Sequence, residues 1–339
     1  NDAFLSIDSS SVEVSDCRIE KNSKGIWIYE SAPTIENNVI VENSGNAVLL
    51  HDAFSSTLAQ NTLNNNGGDY VGISGKLSSS EVWGDFEFNK NNQDVVVTDR
   101  LSVGKGASLT LKPGSIMKLA SSVELDIYGE LQAKGTEEEP VYFTSLKDDS
   151  VGGDTNKDEN ATSPNPGEWG QIRFNKGSNG TLRHATLRYG GAWSGGVLRI
   201  QSSPVYVTNC IISKNEGGVL LKSPITYDSI GPSSTYINNG QKINNDPYDE
   251  SAIKIKRNII QYNERTGISI DFKEPNDNPP PDMSSISYES SYQASKKDIS
   301  LNSTIVDNMI RKNKGDGISL KSCNNTRLMN NTIKDNSRF

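Results

Sequence analysis

A short frame recurs seven times along this chain and constrains its fold more than any other feature. In each copy a cysteine or asparagine is followed by an apolar residue two positions later and by an asparagine five positions later. The closest copies start 21 to 23 residues apart. An internal period of this length is typical of a solenoid, in which each turn buries its apolar face on the next. The seven copies are Cys17/Ile19/Asn22, Asn38/Ile40/Asn43, Asn61/Leu63/Asn66, Cys210/Ile212/Asn215, Asn258/Ile260/Asn263, Asn308/Ile310/Asn313 and Asn331/Ile333/Asn336.

The rest of the repeat predicts the shape of one turn. Most copies lead into a glycine and an alternating strand, as at residues 25–28 and 218–221. Alternating apolar residues are typical of half-buried strands, and no segment keeps the i, i+3, i+4 spacing of a helix for long. Three short strands in about 22 residues describe one triangular coil. We therefore predict an all-β fold, a single-stranded right-handed parallel β-helix of about twelve coils.

Stacking such coils places equivalent residues directly above one another. The first position of the frame then becomes a ladder of asparagines inside a corner, whose amides hydrogen-bond along the axis. Asparagine also tolerates the left-handed backbone conformation that a sharp corner needs. The ladder is expected to contain Asn38 and Asn61 with Cys17 beside them, and Asn258, Asn308 and Asn331 at the other end.

The middle third keeps the alternation but replaces asparagine with glycine, and Leu109 and Leu131 lie 22 residues apart, so we expect the same coil to continue. Three polar stretches break the period, at about 146–168, 225–251 and 272–298. We interpret them as loops inserted at coil corners, where extra length costs little entropy and function often lies. We expect one β-helix domain over residues 1–339, as part of a longer chain that opens here in mid-frame.

Charge and cysteine content exclude several classes of protein. The 339 residues carry a net charge of −8, which argues against nucleic acid or an anionic membrane as the main partner. The sequence has no apolar run of 18 residues that could form a transmembrane helix. Three cysteines with no close pairing argue against a disulfide framework. We expect Cys17 and Cys210 to be small buried residues at a tight corner.

The first of the three loops carries a candidate metal site. Asp154, Asn156 and Asp158 alternate like the hard oxygen ligands that open a calcium-binding EF-hand loop. The full pattern is not met, because no glycine follows Asp158 and no glutamate stands at the twelfth position. The alternative is a solvated acidic loop without metal. The predicted ligands of a structural calcium ion are Asp148, Asp149, Asp154, Asn156 and Asp158.

Aromatic residues on the outer surface are the second candidate site. If Ile26 and Ile28 point inward, Trp27 and Tyr29 must point outward together, and Tyr206 does so on its own strand. Flat aromatic faces pack on sugar rings, and their polar edges can bond sugar hydroxyls. The competing interpretation is that the inserted loops fold back and bury the rings. The candidate carbohydrate-binding residues are Trp27, Tyr29, Tyr206, Trp193, Tyr227, Tyr236, Tyr248, Tyr288 and Tyr292.

The frame Asn-x-Ile-x-x-Asn-x-x-Gly-Ile-x-Ile over residues 12–75 and 204–336 resembles the right-handed parallel β-helix repeat family. That family includes carbohydrate-binding, sugar-hydrolase and NosD-like β-helices. The segments at 129–136, 140–145, 167–170 and 182–191 resemble large bacterial and archaeal surface β-helices. The mid-frame start and the long loops bearing proline and tyrosine also resemble the C-terminal domain of tāpirin-type cellulose-binding surface proteins. These resemblances imply an extracellular or cell-surface location and a polysaccharide partner.

Of the enzyme motifs of related folds, Asp-Asp is present at Asp148-Asp149 but lies in a loop, and others are missing. Sequences such as Gly-His-Gly and Asp-Pro-His-Asp do not occur, so we assign no catalytic residue. We expect a monomeric, non-catalytic adhesin that attaches to an insoluble plant polysaccharide such as cellulose. The alternatives are a polysaccharide lyase or glycoside hydrolase, which paired outer carboxylates could support, and a structural spacer of a cell-surface protein.

Overall fold

The computed structural model describes residues 3–83, 95–159, 161–192, 195–222, 253–271, 303–321, 323 and 326–337. The predicted loops at 225–251 and 272–298 therefore lie outside the described residues. All regular structure in the described part is β-strand. That part of the chain offers no apolar helix of membrane-spanning length.

The described residues form thirty-two short strands in succession. They are β1 (Ala3–Asp8), β2 (Glu13–Ser15), β3 (Arg18–Glu20), β4 (Lys24–Tyr29), β5 (Thr34–Glu36), β6 (Val39–Val41), β7 (Asn46–His51), β8 (Thr57–Ala59), β9 (Thr62–Asn64), β10 (Gly68–Leu77), β11 (Glu81–Trp83), β12 (Val95–Val103), β13 (Ser108–Leu111), β14 (Ile116–Leu119), β15 (Leu125–Ile127), β16 (Glu130–Lys134), β17 (Val141–Ser145), β18 (Ile172–Phe174), β19 (Asn179–Arg183), β20 (Ala185–Arg188), β21 (Leu198–Gln201), β22 (Val205–Thr208), β23 (Ile211–Ser213), β24 (Val219–Lys222), β25 (Ile253–Lys256), β26 (Ile259–Gln261), β27 (Ile268–Asp271), β28 (Ser303–Val306), β29 (Met309–Arg311), β30 (Ile318–Lys321), β31 (Thr326–Met329) and β32 (Thr332–Lys334).

These strands pair in parallel with the strand one coil away, which confirms the predicted all-β parallel β-helix. They form sheets of 18, 8, 3 and 3 strands. The eight-stranded sheet and the three-stranded sheet of β2, β5 and β8 contribute one strand to each of eleven coils, close to the expected twelve. In the middle third Leu109 pairs with Leu131, so the coil does continue there with the predicted period.

Alternation along each strand builds one continuous apolar core. Ile26 and Ile28 are 1% and 0% exposed, and equivalent residues extend this cluster from Ile7 to Ile310. The glycine that follows the frame has a steric reason. A Cβ atom on Gly218 would lie 2.0 Å from the carbonyl oxygen of Gly267 in the next coil, so no larger residue fits.

The predicted asparagine ladder is present at both ends of the chain. The backbone amide and Nδ2 of Asn38 both donate to Oδ1 of Asn61, at 3.1 and 3.0 Å. The amide of Cys17 donates to Oδ1 of Asn38 at 2.9 Å. The same bonds link Asn258 to Asn308 and Asn308 to Asn331.

A second ladder, which the sequence analysis did not identify, runs through the second asparagine of the frame. Asn263 Nδ2 donates to Asn313 Oδ1 at 2.9 Å, and the backbone amide of Asn263 donates to the same oxygen at 3.2 Å. The N-terminal coils repeat this pattern from Asn43 to Asn66. Each ladder side chain thus satisfies a corner amide of the neighbouring coil.

The left-handed residue at each corner is not the ladder asparagine, as the sequence analysis expected, but the residue before it. Asn37 and Lys21 have φ angles of 56° and 59°, and Asp307 and Lys312 have angles of 55° and 53°. The turn at this preceding residue directs the asparagine inward, where both ends of its amide find partners. Lysine, aspartate and asparagine all occupy this left-handed position.

The expectation that both Cys17 and Cys210 are buried is wrong for Cys17, which is exposed. Cys17 belongs to the first coil, whereas Cys210 lies between coils and is 1% exposed. Burial raises the pKa of the Cys210 thiol to about 12.

We predict that iodoacetamide at pH 8 alkylates Cys17 rapidly in the native protein and Cys210 only after unfolding. The thiolate is the reactive species, and a pKa raised from 9.0 to about 12 lowers its population roughly 1000-fold. Peptide mass spectrometry with and without denaturant measures both sites in one sample. Equal labelling of the two cysteines in the native protein would contradict the stacking of the coils around Cys210.

Candidate functional site

The structure places Trp27 and Tyr29 on the outer side of β4, as the alternation predicted. Nζ of Lys24 lies 5.7 Å from the centre of the Trp27 ring. Tyr29 stacks on His51 of the next coil, with ring centres 5.0 Å apart and planes 5° from parallel. The pKa of Tyr29 is raised, first by a hydrogen bond to Glu30 and then by the charge of that carboxylate.

Tyr206 lies on a different side of the solenoid. Its strand, β22, belongs to the eight-stranded sheet, whereas β4 belongs to the 18-stranded sheet. Lys254 of the next coil covers the Tyr206 ring, with Nζ 5.3 Å from its centre. The structure therefore does not join Trp27, Tyr29 and Tyr206 into one flat patch. The remaining predicted aromatics lie outside the described residues: Trp193, Tyr227, Tyr236, Tyr248, Tyr288 and Tyr292.

A different group of aromatic residues does form a continuous surface. We call it the Tyr–cation surface; it consists of Tyr142, Arg188, Tyr189, Lys214, Tyr262 and Lys312. The Arg188 guanidinium lies 5.5 Å from the ring centre of Tyr142 and 5.6 Å from that of Tyr189. Lys214 lies 5.7 Å from the Tyr189 ring, and Lys312 lies 5.4 Å from the Tyr262 ring.

The register of the coils creates this surface. Arg188, Ser213, Gln261 and Arg311 stack in one outer row on β20, β23, β26 and β29. The residue after each member of this row is the left-handed corner residue, so Tyr189, Lys214, Tyr262 and Lys312 form a ridge along the axis. Tyr189 and Tyr262 are two coils apart, or about 9–10 Å along the axis.

Polar and apolar groups flank the ridge. Lys214 Nζ donates to the Tyr189 hydroxyl at 3.4 Å, and Lys312 Nζ donates to the Tyr262 hydroxyl at 3.2 Å. A parallel outer row of the same strands holds Ile211, Ile259 and Met309. In the described part of the chain no carboxylate forms an ion pair with Lys214 or Lys312, so both keep their charge available.

Sequence reasoning missed this surface because it examined strand alternation and the inserted loops. Tyr189 and Tyr262 lie in neither, since they are corner residues. The signal was available: Tyr262 immediately precedes the second asparagine of a frame, Asn263, and so do Lys214 and Lys312 in their own frames.

The acidic loop follows β17 and contacts Lys118 of β14 and Arg188 of β20. Lys118 Nζ donates to the backbone oxygen of Gly153 at 2.6 Å. Carboxylate oxygens of Asp149, Asp154 and Asp158 all lie within 4.8 Å of one another. Asn156 joins them, because its Nδ2 donates to Oδ2 of Asp158 at 2.7 Å.

Asp148, the fifth predicted ligand, is not part of that cluster. It is 2% exposed and forms an ion pair with Arg188 at 2.6 Å. It also accepts a hydrogen bond from Ser150 Oγ at 2.7 Å. The loop thus holds two different acidic groups: Asp148, which is paired with an arginine, and a cluster of three carboxylates.

Residues 1–92 match the family model described as right handed beta helix region. The match and the parallel coils that continue to residue 334 agree on one fold. The fold is a right-handed parallel β-helix, and residues 1–92 are similar to that family. Comparison with curated proteins and with solved structures found no match.

One more polar cluster lies on the outer side of this β-helix. Asp126 has a side chain that is 1% exposed and receives two bonds from Arg173, at 2.5 and 2.8 Å. Glu124 forms ion pairs with Arg173 and Arg100, and Nη2 of each arginine lies 3.0 Å from Oε2 of Glu124. These carboxylates are therefore occupied by arginine. They offer no pair of accessible acids of the kind that glycoside hydrolysis needs.

Proposed function

We propose that this β-helix is a non-catalytic extracellular protein that attaches to an insoluble polysaccharide, such as plant cellulose. The observation that carries the proposal is the ridge of the Tyr–cation surface, whose tyrosines repeat along the axis with ammonium groups between them. Tyrosine rings pack on the apolar faces of sugars, and ammonium groups donate hydrogen bonds to sugar oxygens.

The shape of the surface favours an extended chain over a small sugar. Tyr262 on the ridge is 46% exposed, and a row of Ile211, Ile259 and Met309 runs beside the ridge in register. Each contact of this kind is weak, but contacts that are linked along one rigid polymer gain through effective concentration. Attachment to an insoluble glycan is the use that such a surface fits best.

Sedimentation with insoluble cellulose, xylan and chitin tests the proposal. Removing the rings of Tyr189 and Tyr262 together (Tyr189→Ala, Tyr262→Ala) should weaken retention roughly 5- to 150-fold, taking 0.5–1.5 kcal/mol for each ring. Tyr262 is 46% exposed, so Tyr262→Ala alone should change the melting temperature little, whereas the Tyr189 ring also packs on the core and its loss should lower the melting temperature. Tyr128→Ala is the matched control, because this tyrosine is 41% exposed and lies outside the Tyr–cation surface.

A second variant tests two aromatic residues that the sequence alone predicted to bind carbohydrate. Replacing Trp27 and Tyr206 by alanine should also weaken retention, but less, because their rings lie in separate sheets. Full retention after loss of both tyrosines of the ridge would contradict the proposal, as would no retention of the wild-type protein on any of these polysaccharides. Release of new reducing or unsaturated ends would instead support the lyase or hydrolase alternative.

A further inference from the structure

Three carboxylates of the acidic loop converge within the described residues. Asp148 is neutralised by Arg188, whereas Asp149, Asp154 and Asp158 offer carboxylate oxygens within 4.8 Å of one another. Like charges at this distance repel, and a divalent cation between them would offset that repulsion.

Oxygen atoms without partners provide a second, independent observation. Thr155 is 1% exposed, and within the described residues its hydroxyl oxygen has no hydrogen-bond partner. Oδ1 of Asp149 and Oδ1 of Asn156 are likewise shielded from solvent and without a partner there. Buried polar atoms in native proteins are nearly always satisfied, and a bound ion is one of the recognised partners of those that find none in the protein.

We propose that residues 149–158 bind a calcium ion through the carboxylates of Asp149, Asp154 and Asp158 and the amide oxygen of Asn156, and that this ion orders the loop that positions Arg188 in the Tyr–cation surface. Calcium takes six to eight oxygen ligands in an irregular, adaptable arrangement, which suits a loop of carboxylate and amide oxygens. Magnesium demands a regular octahedron and is expected to bind more weakly.

The link from the loop to the surface consists of two bonds. Arg188 Nε donates to Oδ2 of Asp148 at 2.6 Å, and Nη2 of Arg188 donates to Oγ of Ser150 at 2.6 Å. The same guanidinium packs on the rings of Tyr142 and Tyr189. Because Asp148 and Ser150 flank the ligand Asp149, an ordered metal site holds both partners of Arg188 in place. This second part of the proposal rests on the proposed function of the surface.

Thermal unfolding without any glycan tests the metal site directly. Calcium at a hundred times its Kd should raise the melting temperature of the wild-type protein by roughly 5 °C, and a chelator should reverse the shift. Magnesium should give a smaller shift. Asp154→Asn with Asp158→Asn should abolish the calcium shift, whereas Glu137→Gln with Glu138→Gln, in an exposed turn, should keep it.

Asp149→Asn should shift the melting temperature in opposite directions in chelator and in calcium, relative to the wild type. A merely structural role of Asp149 would not produce this reversal. In chelator this variant should melt at or above the wild-type temperature, because it removes a carboxylate that its neighbours repel. In calcium it should melt below the wild type, because a ligand is missing. A wild-type melting temperature that does not respond to millimolar calcium would overturn the metal site, and so would the same shift in the Asp154/Asp158 variant.

Sedimentation with cellulose then tests whether the metal site affects the Tyr–cation surface through Arg188. Chelator should reduce retention of the wild-type protein at least threefold and leave the Asp154/Asp158 variant at its already lowered level. Undiminished retention in chelator, with a normal calcium shift in melting, would overturn the coupling to Arg188. If the wild type binds no polysaccharide in either buffer, the proposed function fails, and the melting experiment still decides the metal site.

Discussion

Replacing Arg173 with methionine should lower the free energy of unfolding by about 3 kcal/mol, one of the two largest effects that we expect from a single substitution. The Asp126 side chain is 1% exposed, and Arg173 gives it two hydrogen bonds. Removing one partner of a buried pair leaves an uncompensated charge, which typically costs about 3–5 kcal/mol. Arg100, whose Nε lies 3.3 Å from Asp126, remains and keeps the loss near the lower value.

The control is an ion pair of the same length at the surface. Arg18 and Glu20 are also 2.5 Å apart, but the arginine side chain is 57% exposed. Because exposed pairs contribute about 0–1 kcal/mol, Arg18→Met should change stability little. Urea unfolding followed by circular dichroism measures both variants. Equal losses for Arg173→Met and Arg18→Met would contradict the assigned burial of Asp126.

A double variant separates the cost of an orphaned charge from the net contribution of the pair. Changing Asp126 to leucine together with Arg173→Met removes both charges, and replacing a whole buried pair by apolar residues is often neutral or stabilising. We expect the double variant to recover most of the stability that Arg173→Met loses. A double variant as unstable as the single one would mean that the two residues mainly fill space.

Much of the fold could be predicted because its information is local and repeated. The alternation at Ile26 and Ile28 determines which face of a strand is buried, and a constant period brings Leu109 opposite Leu131. Stacking then follows without knowledge of any long-range contact. The residue that turns each corner was assigned wrongly because the frame marks where the asparagine lies and not which residue has a positive φ.

The candidate site could be predicted only in part, because its contacts join residues of different coils. Outward positions such as Trp27 follow from alternation, but the partner of each ring does not. The contact between Lys312 and Tyr262 spans 50 residues, which is more than twice the coil period of about 22 residues. In the acidic loop, composition identified the carboxylates. It could not show that Asp148 turns back to Arg188 while Asp149 faces the cluster.

Replacing Asn38 with alanine should destabilise the N-terminal coils by about 3 kcal/mol. Its side chain is buried and gives or receives three hydrogen bonds, which involve the Cys17 amide, the Val14 carbonyl and Oδ1 of Asn61. Alanine can replace none of them, and each buried group left without a partner costs about 1–3 kcal/mol. The loss should be local, because each turn of a solenoid contacts only its neighbours.

The neighbouring asparagine is the matched control for this prediction. Asn37 is exposed and has a φ of 56°, a conformation that glycine adopts without strain, so Asn37→Gly should cost less than about 1 kcal/mol. Hydrogen exchange resolves where stability is lost. Amides of β2, β3, β5 and β6 should exchange faster in Asn38→Ala, while those of β25 to β29 stay protected. If Asn38→Ala matched Asn37→Gly in both experiments, the amide ladder would contribute no more than any exposed corner residue. The stability of the coil would then come from its apolar core alone.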